Sequence, residues 1–137
     1  MSGSANDGTA PCPCGSGERY DECCGCLHRG DSIASTPETL MRSRYSAFAV
    51  GDVEYLLATW HPSTRPASLD LDPAMEWRRL DILDTDTDGE RGEVEFRAFW
   101  RILPAPGRAR DGGVLHERSR FVREHGRWYY LDGDVAG

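Results

Sequence analysis

The stretch Cys12-Pro13-Cys14-Gly15-Ser16-Gly17-Glu18-Arg19-Tyr20-Asp21-Glu22-Cys23-Cys24 holds four of the five cysteines of this 137-residue chain. They form two pairs, C-x-C and C-C, separated by eight residues. Gly15 and Gly17 adopt positive φ at no steric cost, so the intervening segment can fold back and bring the pairs together. Four thiolates at about 2.3 Å from one ion match the tetrahedral coordination of structural zinc. The spacing therefore predicts a structural Zn²⁺ ion bound by Cys12, Cys14, Cys23 and Cys24.

The sequence leaves two alternatives to this ligand set open. A disulfide framework in a secreted protein is disfavoured by the odd cysteine count and by residues 1–10, which lack the basic and apolar segments of a signal peptide. A reducing, cytoplasmic location is therefore expected. Cys26 or His28 can also compete for the ion, because Cys24-x₃-His28 is acceptable ligand spacing. With four cysteines available, the simpler interpretation makes Cys26 a spare thiol and His28 a solvated loop residue.

The cysteine stretch resembles a known small motif. The residues on which this resemblance rests are Pro11-Cys12-Pro13-Cys14-Gly15-Ser16-Gly17, Tyr20 and Cys23-Cys24-Gly25. The stretch is similar to the SEC-C motif, the zinc module at the C-terminus of the export motor SecA. Carried over by position, the resemblance implies the same four cysteine ligands. In SecA the module is associated with chaperone and lipid contacts, which implies a protein partner here. The usual lysines are replaced by Glu18-Arg19-Tyr20-Asp21-Glu22, and this disfavours a lipid or nucleic-acid role.

Composition and length restrict the remaining possibilities. The net charge is -7 at pH 7, whereas binding to phosphate backbones requires clustered positive charge, so no nucleic-acid partner is expected. No apolar run of about 18 residues is present, so no membrane span is expected either. The length suits one ordinary domain beside a small metal module. We predict a disordered tail at 1–10, a zinc module at 11–30, a linker at 31–35 and an α+β domain at 36–134.

The domain begins with two predicted helices. Thr36 can cap the first helix, Pro37 suits its first turn and Gly51 its C-terminal cap. Asp52 starts a second helix that is expected to end at about Trp60, before His61-Pro62.

Alternating apolar residues then predict antiparallel strands. Residues 93–103 alternate strictly, with Val94, Phe96 and Ala98 on one face. The other predicted strands are 77–83, 114–124 and 127–132, with a turn-rich segment at 84–92, a loop at 104–113 and a tight turn at His125-Gly126. Helices followed by strands indicate an α+β fold, with a curved sheet wrapped around the helices.

A wider resemblance covers residues 11–134. It is carried by Leu40-Met41-Arg42-Ser43-Arg44-Tyr45-Ser46-Ala47-Phe48, by Thr59-Trp60-His61-Pro62, by Glu117-Arg118-Ser119-Arg120-Phe121 and by Gly126-Arg127-Trp128-Tyr129-Tyr130-Leu131-Asp132-Gly133. These segments are similar to the bacterial YchJ family. The resemblance implies a central domain of the nuclear transport factor two superfamily, a cystatin-like cone of bent antiparallel sheet packed on helices.

Several side chains are candidates for a pocket inside this cone. If Leu115 and Phe121 face inward, the period of two places Glu117 and Ser119 on the same face. A buried glutamate requires a partner, which Arg42 or Arg44 on the first helix can supply. The pairing is either an internal salt bridge or part of a ligand site. His61 is either a helix-terminating residue or a pocket base, and Trp100 is a core residue that can line the pocket.

These features are consistent with two functions of different classes. The preferred hypothesis is a non-enzymatic zinc-binding adaptor or binding protein, whose module engages a protein partner and whose cone is a scaffold or binds a small apolar ligand. The alternative is an enzyme that uses the cone for acid-base chemistry of the isomerase or dehydratase type, as some relatives in the superfamily do. The sequence contains no acid-base pair whose context names a reaction.

Overall fold

The cysteine-rich segment folds into a tight loop followed by two short helical turns. In the computed structural model, which describes residues 10–103 and 111–135, a 3₁₀ turn covers Tyr20–Glu22 and helix α1 covers Cys24–His28. A backbone bridge from Pro11 to Arg19 closes the loop. Gly15 and Gly17 have φ of 83° and 87°, which confirms the predicted reversal. The tail predicted at 1–10 lies outside the described residues except for Ala10.

The two predicted helices are confirmed. Helix α2 covers Pro37–Val50, with the Thr39 amide donating to the Thr36 side chain and Gly51 at φ 82° beyond its end. Helix α3 covers Val53–Ala58 and is capped by Asp52. It ends before the predicted Trp60, because the next backbone groups bond to the sheet instead. The Thr59 carbonyl accepts from the Tyr130 amide at 2.8 Å, and the His61 amide donates to the Tyr130 carbonyl at 2.8 Å.

The second part of the domain is an antiparallel sheet with strand order β1-β2-β3-β4 in the described residues. The strands cover Met75–Asp88, Arg91–Ile102, Asp111–Glu124 and Arg127–Val135. The predicted turn at His125-Gly126 is confirmed, with φ of 54° and 78°. Of the loop predicted at 104–113, residues 104–110 lie outside the described part of the chain, and the last three belong to β3. Two register shifts in β1 and one between β3 and β4 bend the sheet.

The turn-rich segment predicted at 84–92 is too long, because β1 continues to Asp88 and only Gly89 and Glu90 connect it to β2. Asp and Gly are depleted in strands, and the sequence offered no local reason to extend one there. In the fold, residues 84–88 pair in register with the start of β2. Arg118 on β3 bonds Asp84 at 3.2 Å and also contacts Glu93. Cross-strand pairing thus overrides the low strand preference of the segment.

One face of the sheet packs against α2 and forms the core. Val94, Phe96 and Ala98 are each no more than 3% exposed, which confirms the predicted alternation along β2. Leu40 and Tyr45 of α2 pack on this face within the same apolar cluster. A second, separate cluster contains the buried cysteines of the N-terminal segment. The described structure therefore holds two cores that meet at α2.

Candidate functional site

The four predicted metal ligands converge in the N-terminal segment. The sulfur atoms of Cys12, Cys14, Cys23 and Cys24 all lie within 4.8 Å of one another, and Sγ of Cys14 is 3.7 Å from Sγ of Cys23. A tetrahedron with metal–sulfur bonds of about 2.3 Å has edges of about 3.8 Å. Three of the four side chains are buried and Cys23 is half-buried. The cluster thus has the size and the donor set of a closed metal site.

The electrostatics of the cluster also favour a cation. The hydrogen bond with Cys14 lowers the pKa of Cys12, whereas the hydrogen bond with Cys12 raises the pKa of Cys24. Neighbouring thiols therefore share protons, because ionising one of them disfavours ionising the next. A bound divalent cation removes this conflict and allows all four to be thiolates.

Cys26 and His28 do not join this group of sulfur atoms. Sγ of Cys26 donates to the Asp21 carbonyl at 3.2 Å. The expectation that His28 is a solvated loop residue is wrong, because its side chain is 4% exposed and lies in α1. Nε2 of His28 donates to the Ser43 carbonyl at 2.8 Å, and Nδ1 lies 2.6 Å from the Tyr20 hydroxyl. His28 therefore ties the cysteine-rich segment to α2.

Helix α2 makes two further contacts with the cysteine cluster. Nη1 of Arg42 donates to the Cys14 carbonyl at 2.9 Å, and Nε of Arg42 bonds Glu38 at 3.0 Å. Sγ of Cys12 lies 3.5 Å from the hydroxyl of Ser46, which is fully buried. The cluster is therefore attached to the same helix that packs on the sheet.

A cavity of about 210 Å³ lies between α2 and the sheet. Most of its wall is apolar, and its aromatic members are Tyr45, Phe48, Trp60, Trp77, Phe96 and Tyr130. Its charged and hydroxyl-bearing members are Arg44, Glu117 and Ser119, together with the Tyr45 and Tyr130 hydroxyls. Burial raises the pKa of Tyr45 and of Tyr130 to about 12, so both phenols are neutral at pH 7. An apolar wall with a few polar groups is the usual composition of a small-molecule site.

Arg44 is the most deeply buried charge of the cavity, at 3% exposure. Its Nη1 donates to the Leu56 carbonyl at 2.8 Å and to the Thr59 hydroxyl at 2.7 Å. The guanidinium also lies over two rings, 4.6 Å from the Tyr130 centroid and 5.1 Å from that of Trp60. Burial lowers the pKa of Arg44 to about 10, so the side chain remains a cation at pH 7.

Glu117 lines the same cavity. Its Oε2 accepts from the Ser119 hydroxyl at 2.6 Å and from the Tyr130 hydroxyl at 3.3 Å. Gly133 permits this position, because a Cβ there would lie 2.2 Å from Oε2 of Glu117. Among the described residues, Arg44 and Glu117 form no ion pair within 4.0 Å, although the charge of Glu117 acts to raise the pKa of Arg44.

Of the candidate pocket residues, the structure brings Arg44, Glu117 and Ser119 together and places the other three elsewhere. Arg42 faces the cysteine cluster. His61 lies beside the last residue of β3, with its Nε2 3.0 Å from Glu124. Its Nδ1 is 2.7 Å from the Ser63 hydroxyl. Trp100 packs over Gly113, where an added Cβ would lie 2.9 Å from its ring.

The sequence reasoning missed Tyr130, which contacts both charges of the cavity. The alternation of side chains along β4 could have identified Tyr130, because it lies on the same strand face as the buried Trp128. The same argument that placed Glu117 and Ser119 on the inner face would have placed Tyr130 there.

Comparison with known proteins matches both parts of the chain. The family model described as "YchJ, middle NTF2-like domain" covers residues 36–133, and that of the SEC-C motif covers residues 9–25. A UPF0225 protein of Streptomyces coelicolor, SCO1677, is 55% identical over 92% of this chain and 96% of its own length. A UPF0225 protein of Streptomyces avermitilis is 50% identical over 91% of this chain and 84% of its own.

Two solved structures share the arrangement. The solution structure of RPA3114, a SEC-C motif containing protein from Rhodopseudomonas palustris, superposes with a TM-score of 0.79 at 37% identity and covers 93% of this chain and 100% of that one. The crystal structure of a SEC-C motif containing protein from Psychrobacter arcticus gives a TM-score of 0.71 at 27% identity, covering 94% and 83%.

Fold and site together define a class of protein in which a SEC-C cysteine module precedes a nuclear transport factor two-like (NTF2-like) domain. Within that class, the chain belongs to the bacterial YchJ family, whose relatives are named UPF0225 proteins. Among the described residues, no helix has the length and apolar character needed to span a membrane.

Proposed function

We propose that this protein is a non-enzymatic zinc-dependent binding protein, in which one structural zinc ion is held by Cys12, Cys14, Cys23 and Cys24. The observation that carries this proposal is the convergence of four sulfur atoms within 4.8 Å, with no histidine or carboxylate in the group. All-sulfur coordination leaves no open position for water or substrate, so the ion stabilises the fold rather than performing chemistry. The five cysteines, all in the described residues, form no disulfide, which favours a reducing, cytoplasmic location.

The two cores have different roles in this proposal. The cysteine module presents a surface to a protein partner, as the presence of a SEC-C motif suggests. The bent sheet and α2 form a cystatin-like cone, and the cavity beneath α2 is its interior and binds a small, mainly apolar ligand. Because α2 contacts both the cysteine cluster and the cavity, the zinc ion also supports one wall of the binding site.

An enzyme is the second candidate, and one observation favours it. Oε1 of Glu117 has no hydrogen-bond partner among the described residues, so a carboxylate oxygen is available as a base in the cavity. Against this, the predicted pocket base His61 lies elsewhere, and the phenols of the cavity are weak acids, because burial raises the pKa of Tyr45 and of Tyr130 to about 12. Conversion of a bound compound that is abolished in Glu117→Gln would favour the enzyme over the binding protein.

The zinc proposal is tested by metal analysis of matched cysteine variants. We expect about one zinc per chain in the reduced protein and in Cys26→Ser, because Cys26 lies outside the cluster. Cys23→Ser should retain less than about a tenth of this metal at a competing chelator concentration that leaves the parent loaded. Equal loss in both serine variants, or no zinc in the parent protein, would contradict the assignment.

We also propose that the chain divides into a tail at 1–10, a module at 11–30, a linker at 31–35 and a domain at 36–134. The apolar core of the domain contains no residue of the module, although Ala34 of the proposed linker belongs to it. A fragment of residues 32–137 should therefore fold cooperatively and keep its sheet signal in far-ultraviolet circular dichroism.

The same fragment loses three polar contacts with α2, made by Cys12, Cys14 and His28. At about 1 kcal/mol for each lost contact, its free energy of unfolding in urea should fall by about 3 kcal/mol relative to the full chain. A fragment without cooperative unfolding would show that the module is an inseparable part of the core.

A further inference from the structure

The size of the cavity beneath α2 limits what it can bind. Its volume of about 210 Å³ corresponds to about seven water molecules at roughly 30 Å³ each. Sites for drug-sized ligands usually measure about 300–1,000 Å³. The cavity therefore accommodates one substituted ring rather than a steroid-sized or nucleotide-sized molecule.

The walls favour a flat ring. Tyr45 and Trp77 meet edge to face with centroids 6.0 Å apart, and Trp60 meets Tyr130 in the same way at 5.2 Å. These pairs hold aromatic faces and edges around the cavity in fixed orientations. A planar aromatic guest can add stacked or edge-to-face contacts of the same kind.

Each of the two charged side chains of the cavity has hydrogen-bonding atoms that make no bond to a described residue. Arg44 commits Nη1 to Leu56 and Thr59, while its Nε and Nη2 make no hydrogen bond to a described residue. Glu117 commits Oε2 to two hydroxyls, and its Oε1 accepts from no described residue. Both side chains contact Tyr130, so the wall of the cavity offers unused donors and an unused acceptor on either side of this one residue.

The presence of one cation and one anion in the cavity wall disfavours charged ligands relative to neutral ones. Arg44 and Glu117 are held apart by their own contacts, so neither neutralises the other in a direct ion pair among the described residues. An anionic ligand is attracted by Arg44 and repelled by Glu117, and a cationic ligand meets the reverse. A neutral ligand that carries both an acceptor and a donor satisfies both side chains without introducing an unpaired charge.

We propose that the cavity binds a neutral, planar, single-ring aromatic amide, in which a carbonyl accepts from Arg44 and an amide N–H donates to Glu117. This inference rests on the proposed role of the cavity as a binding site and adds the chemical class of the ligand. The class includes aromatic carboxamides and ring lactams, which share the adjacent carbonyl and N–H groups.

Four probes of similar size test the proposal on the full-length protein. Benzamide is neutral with donor and acceptor, benzoate is an anionic acceptor, benzamidine is a cationic donor, and toluene has neither group. Binding is measured by NMR titration that follows the indole N–H signals of Trp60 and Trp77, which line the cavity. We expect benzamide to bind with a Kd of about 1 mM or tighter, and the two charged probes to bind at least about tenfold more weakly.

The variant Glu117→Gln provides a second test, in which the order of probe affinities should change. An unfolded variant would instead lose binding of all four probes. Removing the carboxylate leaves Arg44 as the unbalanced charge, so benzoate should then bind more tightly than benzamide, whereas benzamidine should not gain. Glu95→Gln on the opposite face of the sheet should leave the order unchanged, because Glu95 pairs with His116 and Arg118 outside the cavity. If Glu117→Gln does not fold, the ranking of probes on the parent protein still decides the proposal.

The outcomes separate this inference from the proposed function. Tighter binding of benzoate or benzamidine than of benzamide to the parent protein would overturn the amide assignment and leave the cavity as a binding site. Toluene binding as well as benzamide would also overturn it, because the polar groups would then contribute nothing. Absence of binding by all four probes would contradict both the amide assignment and small-ligand binding in the cavity.

Discussion

Removal of the metal should unfold the cysteine module while the sheet stays folded. The apolar cluster of the module consists of cysteines and the half-buried Tyr20, so it holds almost no core apart from the ligands themselves. Structural zinc supplies about 10–16 kcal/mol of apparent binding free energy in comparable small modules, and this free energy is the folding free energy of the module. Without the ion, residues 11–30 should therefore lose their fixed structure.

This result is measured by amide NMR and thermal unfolding in the presence of a strong zinc chelator. Signals of Cys12, Gly25 and His28 should collapse toward random-coil positions, while the indole signals of Trp77 and Trp128 keep their folded dispersion. The Tm of the sheet should also decrease, because α2 loses its contacts with the module. Cys14→Ser should reproduce the chelated state and Cys26→Ser should not. An ordered module in metal-free, reduced protein would contradict the prediction.

Truncation of Arg44 should be among the most destabilising single changes in the domain. Arg44→Ala removes the guanidinium that lies over the Trp60 and Tyr130 rings, removes two hydrogen bonds at the end of α3 and leaves Glu117 without a nearby cation. Removing one member of a buried polar network and opening a void each cost several kcal/mol in other proteins. We expect the free energy of unfolding to fall by about 3–5 kcal/mol.

Arg42 provides the matched control, two positions earlier on α2. Its pair with Glu38 is only half-buried, and its remaining contact is one hydrogen bond to the Cys14 carbonyl. Arg42→Ala should therefore cost about 1–2 kcal/mol in the same urea titration. Arg44→Met, which restores the apolar volume but not the charge, should recover part of the loss. Equal effects of Arg42→Ala and Arg44→Ala would show that the cavity arginine has no special structural role.

Sequence patterns predicted the starts of both helices and the end of α2, because those signals are local. The capping of α2 by Thr36 and of α3 by Asp52 depends on amides three residues away, and the Gly51 cap depends on one residue's φ. The inner face of β2 followed from alternation alone. The prediction failed at residues 84–88, where a strand forms through pairing with β2 and charge neutralisation by a residue far along the chain.

The sequence by itself determined the cysteine spacing, the helix caps, the strand alternation and the family, because each depends on residues close together in the chain or on their order. Only the tertiary structure decided that Arg44 rather than Arg42 enters the cavity and that Tyr130 joins Glu117. It also decided that His28 is buried against α2. Those outcomes depend on how α2 is rotated over the sheet and on the register of β3 and β4. Rotation is set by the packing of α2 on the sheet, and register by the pairing of whole strands, so neither is fixed by a local sequence pattern.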